Sequence, residues 1–222
     1  DPSDARDHDD AIWAEPDGQG GFRALVAIAD VSFYVRPASQ LDREARKRGN
    51  SVYFPDRVVP MLPEVLSADV CSLRAGEDRA AMACHLTIDA QGRVTSWRFA
   101  RALVRICEVI AYEEAQRRID VGEAADNLVQ LWEAWRALEK ARQHRDPLEL
   151  ELPERRVVLD EAGRITSIAL RERLDAHRVV EDFMIAANVA AAKALEAKVA
   201  PTVYRIHEPP NREKLVALKD YL

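Results

Sequence analysis

Residues 9–29, which read DDAIWAEPDGQGGFRALVAIA, carry the pattern that decides the fold. Two apolar runs, residues 11–14 and 22–29, flank the glycine-rich stretch of residues 17–21. Apolar runs on either side of a turn rich in Gly and Asp are typical of a β-hairpin. The stretch therefore predicts two antiparallel strands, with the acidic residues that precede Ala11 placed at the edge of a sheet.

The same alternation of turns and apolar runs continues along the chain. Turn residues separate residues 82–88 from 93–104, and 157–159 from 165–170, so each pair is expected to form a hairpin. Helices are predicted at residues 41–48, 127–145, 175–199 and 212–222. Strands and helices in this order predict an α+β fold, with mixed sheets and packed helices.

Two of these helices carry clear local signals. Apolar residues recur every three or four positions in the helix at 127–145, which predicts one buried face that includes Trp132 and Trp135. Asp175 is expected to be the N-cap of the next long helix, and Pro201 is expected to stop it. Both tryptophans are therefore interpreted as core residues.

Composition sets broad limits on the class of protein. With 48% hydrophobic residues in 222, the chain can bury a core, and it contains no apolar run long enough to cross a membrane. We expect a cytoplasmic protein. Cys71, Cys84 and Cys107 form no CxxC pair, so they are expected to be buried, reduced thiols.

The net charge of −6 argues against binding of nucleic acid, because phosphate contacts normally need an excess of Lys and Arg. Five of the acids, however, are crowded into the first ten residues: Asp1, Asp4, Asp7, Asp9 and Asp10. Carboxylates held so close together repel one another unless a cation neutralises them. Hard oxygen ligands of this kind suit Mg²⁺, which also binds substrate phosphates.

The acidic segment has two other possible interpretations. A calcium loop of the EF-hand type fails on spacing, since counting from Asp7 puts Ile12 at the obligatory Gly and Gly18 at the obligatory Glu. A solvated acidic tail is the usual fate of a terminal charge run. The spacing of the acids alone does not decide between a solvated tail and a metal site.

Several short motifs, including the acidic one, occur in a fixed order along the whole chain. They are Asp1-Pro2, Asp7-x-Asp9-Asp10-Ala11, Ile28-Ala29-Asp30-Val31-Ser32, Tyr53-Phe54-Pro55, Cys71-Ser72-Leu73-Arg74, Glu181 with Met184-Ile185-Ala186-Ala187-Asn188, and Tyr204-Arg205-Ile206-His207-Glu208. Together they resemble the RNB catalytic domain of the ribonuclease R and ribonuclease II exonucleases. Motifs of this length in one order are far more specific than any one of them.

The resemblance implies an activity and a site. Asp1, Asp7, Asp9 and Asp10 match the acids that hold Mg²⁺, with Mn²⁺ as the alternative ion, at the scissile phosphate, and Asp9 matches the most critical of them. The reaction implied is hydrolytic 3'-to-5' release of 5'-nucleotides from single-stranded RNA.

The resemblance also implies the RNA-binding residues. Tyr53 matches a tyrosine that packs on the terminal nucleotide, while Tyr112 and Glu181 match residues that contact the ribose near the cleaved bond. On the predicted helix, His177, Glu181 and Asn188 form a polar stripe that either lines a channel or faces solvent.

Some features depart from the pattern of the family. Leu150 stands where the family commonly has a phenylalanine that clamps the terminal bases. The chain is expected to be an RNB domain over residues 1–222, incomplete at both ends, without the flanking cold-shock and S1-type modules or the arginine that contacts the scissile phosphate. Such a fragment is expected to be weakly active or inactive alone, within an active monomeric parent enzyme that binds the 3' end of RNA.

A different class of function remains open as an alternative. It is a catalytically inactive module of the RNB type that only binds RNA or a partner protein. The complete set of four aspartates argues against it.

Overall fold

The structure is a computed structural model that describes residues 1–144, 155–160, 162–170, 172–206 and 208–221. The strands in these residues are β1 (Asp10–Pro16), β2 (Phe22–Ala29), β3 (Val52–Tyr53), β4 (Val58–Val59), β5 (Asp78–Ile88), β6 (Val94–Arg105), β7 (Arg155–Leu159) and β8 (Ile165–Leu170). The helices there are α1 (Val31–Tyr34), α2 (Gln40–Arg48), α3 (Tyr112–Asp120), α4 (Asp126–Gln143), α5 (Asp175–Ala197) and α6 (Arg212–Tyr221), with a π-helical turn at Leu66–Val70. The predicted α+β class is confirmed.

The main sheet has four antiparallel strands in the order β1-β2-β5-β6. The predicted hairpin at its edge is confirmed. Its turn is held by the side chain of Asp17, which accepts hydrogen bonds from the N–H groups of Gln19 and Gly21 at 2.7 and 2.9 Å. Gly18 and Gly20 adopt positive φ there, a conformation that costs glycine little.

Side chains alternate between the two faces of this sheet. One face carries the buried row Ala14, Ala24 and Leu86, and the neighbouring row includes Val26 and Cys84. His85 follows Cys84 on the opposite face and is exposed. The side chains of Cys84 and His85 therefore point away from each other.

Helix α4 packs against β1 and supplies much of the core. The predicted apolar face is buried, and the indole rings of Trp132 and Trp135 meet edge to face with their centroids 6.3 Å apart. Both tryptophans are core residues, as predicted.

The turn between β5 and β6 also packs closely against α4. A Cβ atom added to Gly92 would lie only 1.7 Å from the backbone oxygen of Ala137. Gly92 also has a φ of +77°. Both the space and the backbone conformation therefore require glycine at this position.

Helix α5 is joined to α4 by a buried hydrogen bond. The indole Nε1–H of Trp135 donates to Oδ2 of Asp182 at 2.9 Å, and Asp182 is only 7% exposed. A guanidinium nitrogen of Arg142 lies 3.5 Å from the other carboxylate oxygen of Asp182. These contacts fix which side of α5 faces α4.

Two sequence expectations were wrong in detail. Asp175 is the first residue of α5 rather than its N-cap. Cys107 is exposed, because it follows Arg105 at the end of the edge strand β6, while Cys71 and Cys84 are buried as expected. The helix α3 was not predicted at all.

Contacts divide the chain into two compact units, Asp1–Asn188 and Val189–Leu222. The second unit contains the end of α5 and the helix α6, which begins at Arg212 as predicted. Within the described part of the chain, no helix combines the length and the apolar character needed to span a bilayer.

We predict that Gly92→Ala lowers the free energy of unfolding by about 3 kcal/mol, since it adds both backbone strain and overlap with α4. Gly18→Ala is the matched control, because Gly18 has the same positive φ but no atom within 4 Å of the added Cβ. The control should lose only about 1 kcal/mol in urea denaturation. Equal losses in the two variants would contradict the packing argument.

Candidate active site

The acidic segment before β1 is fixed to the body of the protein by the buried hydroxyl of Ser72. Its Oγ accepts a hydrogen bond from the N–H of His8 at 3.0 Å and donates one to the carbonyl of Arg6 at 2.8 Å. The N–H of Leu73 donates to the carbonyl of His8 at 2.8 Å. The segment is therefore an ordered part of the fold and not a solvated tail.

The last two acids enter the main sheet directly. Asp10 is the first residue of β1 and pairs with Ile28, while the N–H of Ala29 donates to the carbonyl of Asp9 at 2.8 Å. Backbone pairing of this kind fixes where successive side chains point. Asp9 and Asp10 are thus held at the edge of the sheet, as the sequence predicted.

Three of the predicted acids interact electrostatically. Loss of water around the Asp9 carboxyl raises its pKa, and the charges of Asp7 and Asp10 raise that pKa further. The pKa of Asp10 is also raised, chiefly by burial. Asp1 takes a different partner, since its Oδ2 lies 2.7 Å from Nδ1 of His8.

Tyr53 lies beside this acidic group. Burial of its hydroxyl raises the pKa of Tyr53, as do the charges of Asp7 and Asp9, and the hydroxyl donates a hydrogen bond to Asp7. The residue as a whole is 68% exposed on the short strand β3. Its hydroxyl therefore lies near the acids, while most of the side chain is open to solvent.

Tyr112 is bonded to the start of the acidic segment. It is the first residue of α3, and its N–H donates to the carbonyl of Asp1 at 3.1 Å. Its ring stacks on the ring of His177 in α5. Glu181, one turn further along α5, is exposed and forms an ion pair with Arg173.

The predicted polar stripe on α5 has a mixed environment. His177 is partly buried against Tyr112, whereas Glu181 and Asn188 are exposed. Leu150 and His207, which also belonged to the sequence interpretation, lie outside the described residues.

A cavity of about 350 Å³ opens beside the acids. Asp1, His8 and Asp10 line it together with mainly apolar side chains, among them Trp13 and Trp132. Clefts that combine apolar walls with a few convergent polar groups are typical of ligand sites. The apolar walls reduce the hydration of the carboxylates that face them.

The acidic side chains supply the oxygen donors that a divalent cation such as Mg²⁺ prefers. In the described ranges, no three His, Cys, Asp or Glu side chains form a ready-made metal cage. Mg²⁺ does not require one, because it retains waters and binds through one or two carboxylates together with substrate phosphates. The neighbouring carboxylates of Asp7, Asp9 and Asp10 fit this mode, and the full ligand set stays a prediction.

Comparison with known proteins identifies the fold. The sequence profile of the RNB domain matches residues 1–222. The chain belongs to the RNB domain family. This RNB domain is 40% identical over 230 residues to Ribonuclease R of Escherichia coli (strain K12), and the alignment covers all of the chain and 28% of that protein. It is also 40% identical over 231 residues to Ribonuclease R of Aquifex aeolicus, where it spans 33% of the length.

Solved structures agree with this assignment. The RNB domain superposes on RNase R of Mycoplasma genitalium in complex with ribose-methylated single-stranded RNA, with a TM-score of 0.91 and 29% identity. That match covers 99% of the chain and 35% of the Mycoplasma protein. The yeast pseudonuclease Ssd1 matches with a TM-score of 0.76 at 20% identity, which shows the fold alone. The chain thus spans about a third of the relatives that it matches.

We predict that Asp9→Asn stabilises the protein at pH 7 in the presence of EDTA. The raised pKa of Asp9 means that the folded state binds its proton more tightly than the unfolded state does, so this group lowers stability as pH rises above its ordinary value of 3.8. The variant should melt at a higher temperature than the wild type at pH 7, and the difference should shrink as the pH falls towards 4. A difference that grew on acidification would contradict the assignment.

Proposed function

We propose that the protein carrying this RNB domain is a hydrolytic 3'-to-5' exoribonuclease that releases 5'-nucleotides from single-stranded RNA. The observation that carries the proposal is the position of Tyr53, an exposed aromatic residue that lies near enough to Asp7 and Asp9 for their charges to raise its pKa. The 40% identity to Ribonuclease R over the full chain supports it. We infer cytoplasmic action as a monomer from the sequence alone.

The division of labour follows from where the residues lie. Asp7, Asp9 and Asp10 would hold Mg²⁺, and Asp1 joins them through His8. When bound, such an ion neutralises the phosphate charge and lowers the pKa of a coordinated water. Ser72 keeps the acidic segment in place during turnover, since both its hydrogen bonds are to backbone groups of that segment.

The aromatic residues bind and orient the RNA end. The open ring of Tyr53 provides a surface on which the terminal base stacks, and its position near Asp7 and Asp9 places that base close to the acids. Tyr112 and Glu181 contact the ribose, whose 2'-hydroxyl distinguishes RNA from DNA. The complex of the Mycoplasma protein with single-stranded RNA supports this choice of substrate.

The alternative is an inactive RNA-binding or protein-binding module. The fold alone does not decide between the two, since a pseudonuclease shares it. The presence of all four predicted acids and the higher identity to Ribonuclease R favour the enzyme.

We predict that Asp9→Asn in the natural full-length protein abolishes cleavage of an oligoribonucleotide and leaves its binding within about twofold, because one metal-binding carboxylate is lost while the aromatic contacts remain. Asp4→Asn, an exposed acid in the same segment, is the matched control and should cleave normally. A 3'-label should be released at once as a mononucleotide, while a 5'-label should give a ladder. EDTA should stop the reaction, and Mg²⁺ should restore it.

Cleavage that persists in Asp9→Asn would contradict the assignment of the acids as metal-binding residues. Absence of cleavage in the wild type, combined with tight RNA binding, would instead establish the inactive module.

We predict that Tyr53→Ala weakens binding of the RNA 3' end by about fivefold or more, since base stacking contributes about 1–3 kcal/mol per base. Tyr53→Phe keeps the ring and removes only the bond to Asp7, so it should bind within about threefold of the wild type. Both can be measured by fluorescence anisotropy in the Asp9→Asn background. Equal losses in the two variants would assign the effect to the hydroxyl instead of the ring.

A further inference from the structure

The rings of Tyr112 and His177 form the closest aromatic contact at the junction of α3 and α5. Their centroids are 4.1 Å apart and their planes differ by 22°, so they lie nearly parallel. Both side chains are partly buried. A flat contact of this kind restrains the tilt of the tyrosine ring, which its own two side-chain torsions leave free.

The imidazole of His177 is itself held in one orientation. Its Nδ1 accepts a hydrogen bond from the N–H of Leu174 at 3.1 Å, so in the neutral ring the proton is on Nε2. Leu174 precedes the first residue of α5, and His177 is the third residue of that helix. This is the position from which Glu or Gln commonly caps the start of a helix in a capping box.

A second contact joins the same two helices. Gln116 lies one turn after Tyr112 in α3, and its Oε1 accepts a hydrogen bond from the N–H of Ala176 at 3.1 Å. Two successive turns of α3 are therefore attached to the first turn of α5. The start of α5 is thus fixed relative to α3, and it limits the rotation of the Tyr112 ring.

The junction lies between two parts of the proposed site. The backbone N–H of Tyr112 donates to the carbonyl of Asp1, next to the acids, while Glu181 lies one turn beyond His177 on α5. Contact of one ribose by both Tyr112 and Glu181 requires a fixed relation between α3 and α5. The stack of Tyr112 on His177 fixes the Tyr112 ring directly relative to α5.

We propose that His177 is a positioning residue for ribose recognition, holding the Tyr112 ring at the angle that contacts the sugar next to the cleaved bond. The inference rests on the proposed function and adds to it a residue that does not touch the RNA. Only a flat ring with an acceptor at Nδ1 makes both contacts. Glutamine in its place retains the helix cap, and phenylalanine retains the stack.

This separation of roles gives a matched pair of variants in the full-length protein. The readout is the ratio of kcat/KM for an oligoribonucleotide to kcat/KM for the same oligonucleotide with 2'-deoxyribose in its last two nucleotides. His177→Gln should lower this ratio by about fivefold, the size of effect that one lost aromatic pair produces, while its melting temperature stays close to that of the wild type. His177→Phe should keep the ratio within about twofold, although it loses the cap.

A double-mutant cycle tests whether His177 acts through Tyr112. In a Tyr112→Ala background, adding His177→Gln should leave the ratio unchanged, because the ring that it positions is gone. This comparison does not depend on the stability of the phenylalanine variant.

Three results would overturn the inference. They are equal loss of selectivity in the Gln and Phe variants, no loss in either, and an additive effect of His177→Gln on Tyr112→Ala. Wild-type protein that lacks RNA cleavage dependent on Asp9 would overturn the proposed function, and this inference with it. Selective, Asp9-dependent cleavage with an unchanged ratio in His177→Gln would overturn the inference alone.

Discussion

The Ser72 hydroxyl joins two parts of the chain that lie more than sixty residues apart in sequence. It is fully buried, and it accepts from one backbone group of the acidic segment while donating to another. A buried hydroxyl that both donates and accepts is satisfied, whereas its removal would leave an N–H and a carbonyl unpaired at a cost of about 1–3 kcal/mol. Crowded carboxylates oppose folding, and this anchor is part of what holds them in place.

Local sequence patterns predicted most of the main fold. The hairpin of β1 and β2 and the buried face of α4 follow from signals that span fewer than twenty residues, namely a glycine-rich turn and a helical repeat of apolar side chains. Helix α3 was missed, although Glu114 with Arg117 and Arg118 shows the charge spacing of a solvated helix. The two-residue strands β3 and β4 are too short to leave any pattern.

The candidate site could likewise be predicted only in part. The placement of Asp9 and Asp10 could be predicted because both enter a strand that the sequence already indicated. The roles of Ser72 and His177 could not, since their partners are distant in sequence and reach them only through tertiary packing. The family resemblance predicted that Tyr53 and the acids belong to one site, which no periodic pattern in the sequence could indicate. In the structure, Tyr53 lies near Asp7.

The buried bond between Trp135 and Asp182 has a consequence for the evolution of the chain. Adjacent residues on a helix point about 100° apart, so the bond that holds Asp182 inward also keeps Glu181 outward. Inserting or deleting one residue between His177 and Asp182 would rotate one side chain away from its partner. Changes of length should therefore accumulate in the loops around α4 and α5 and be absent from the first two turns of α5.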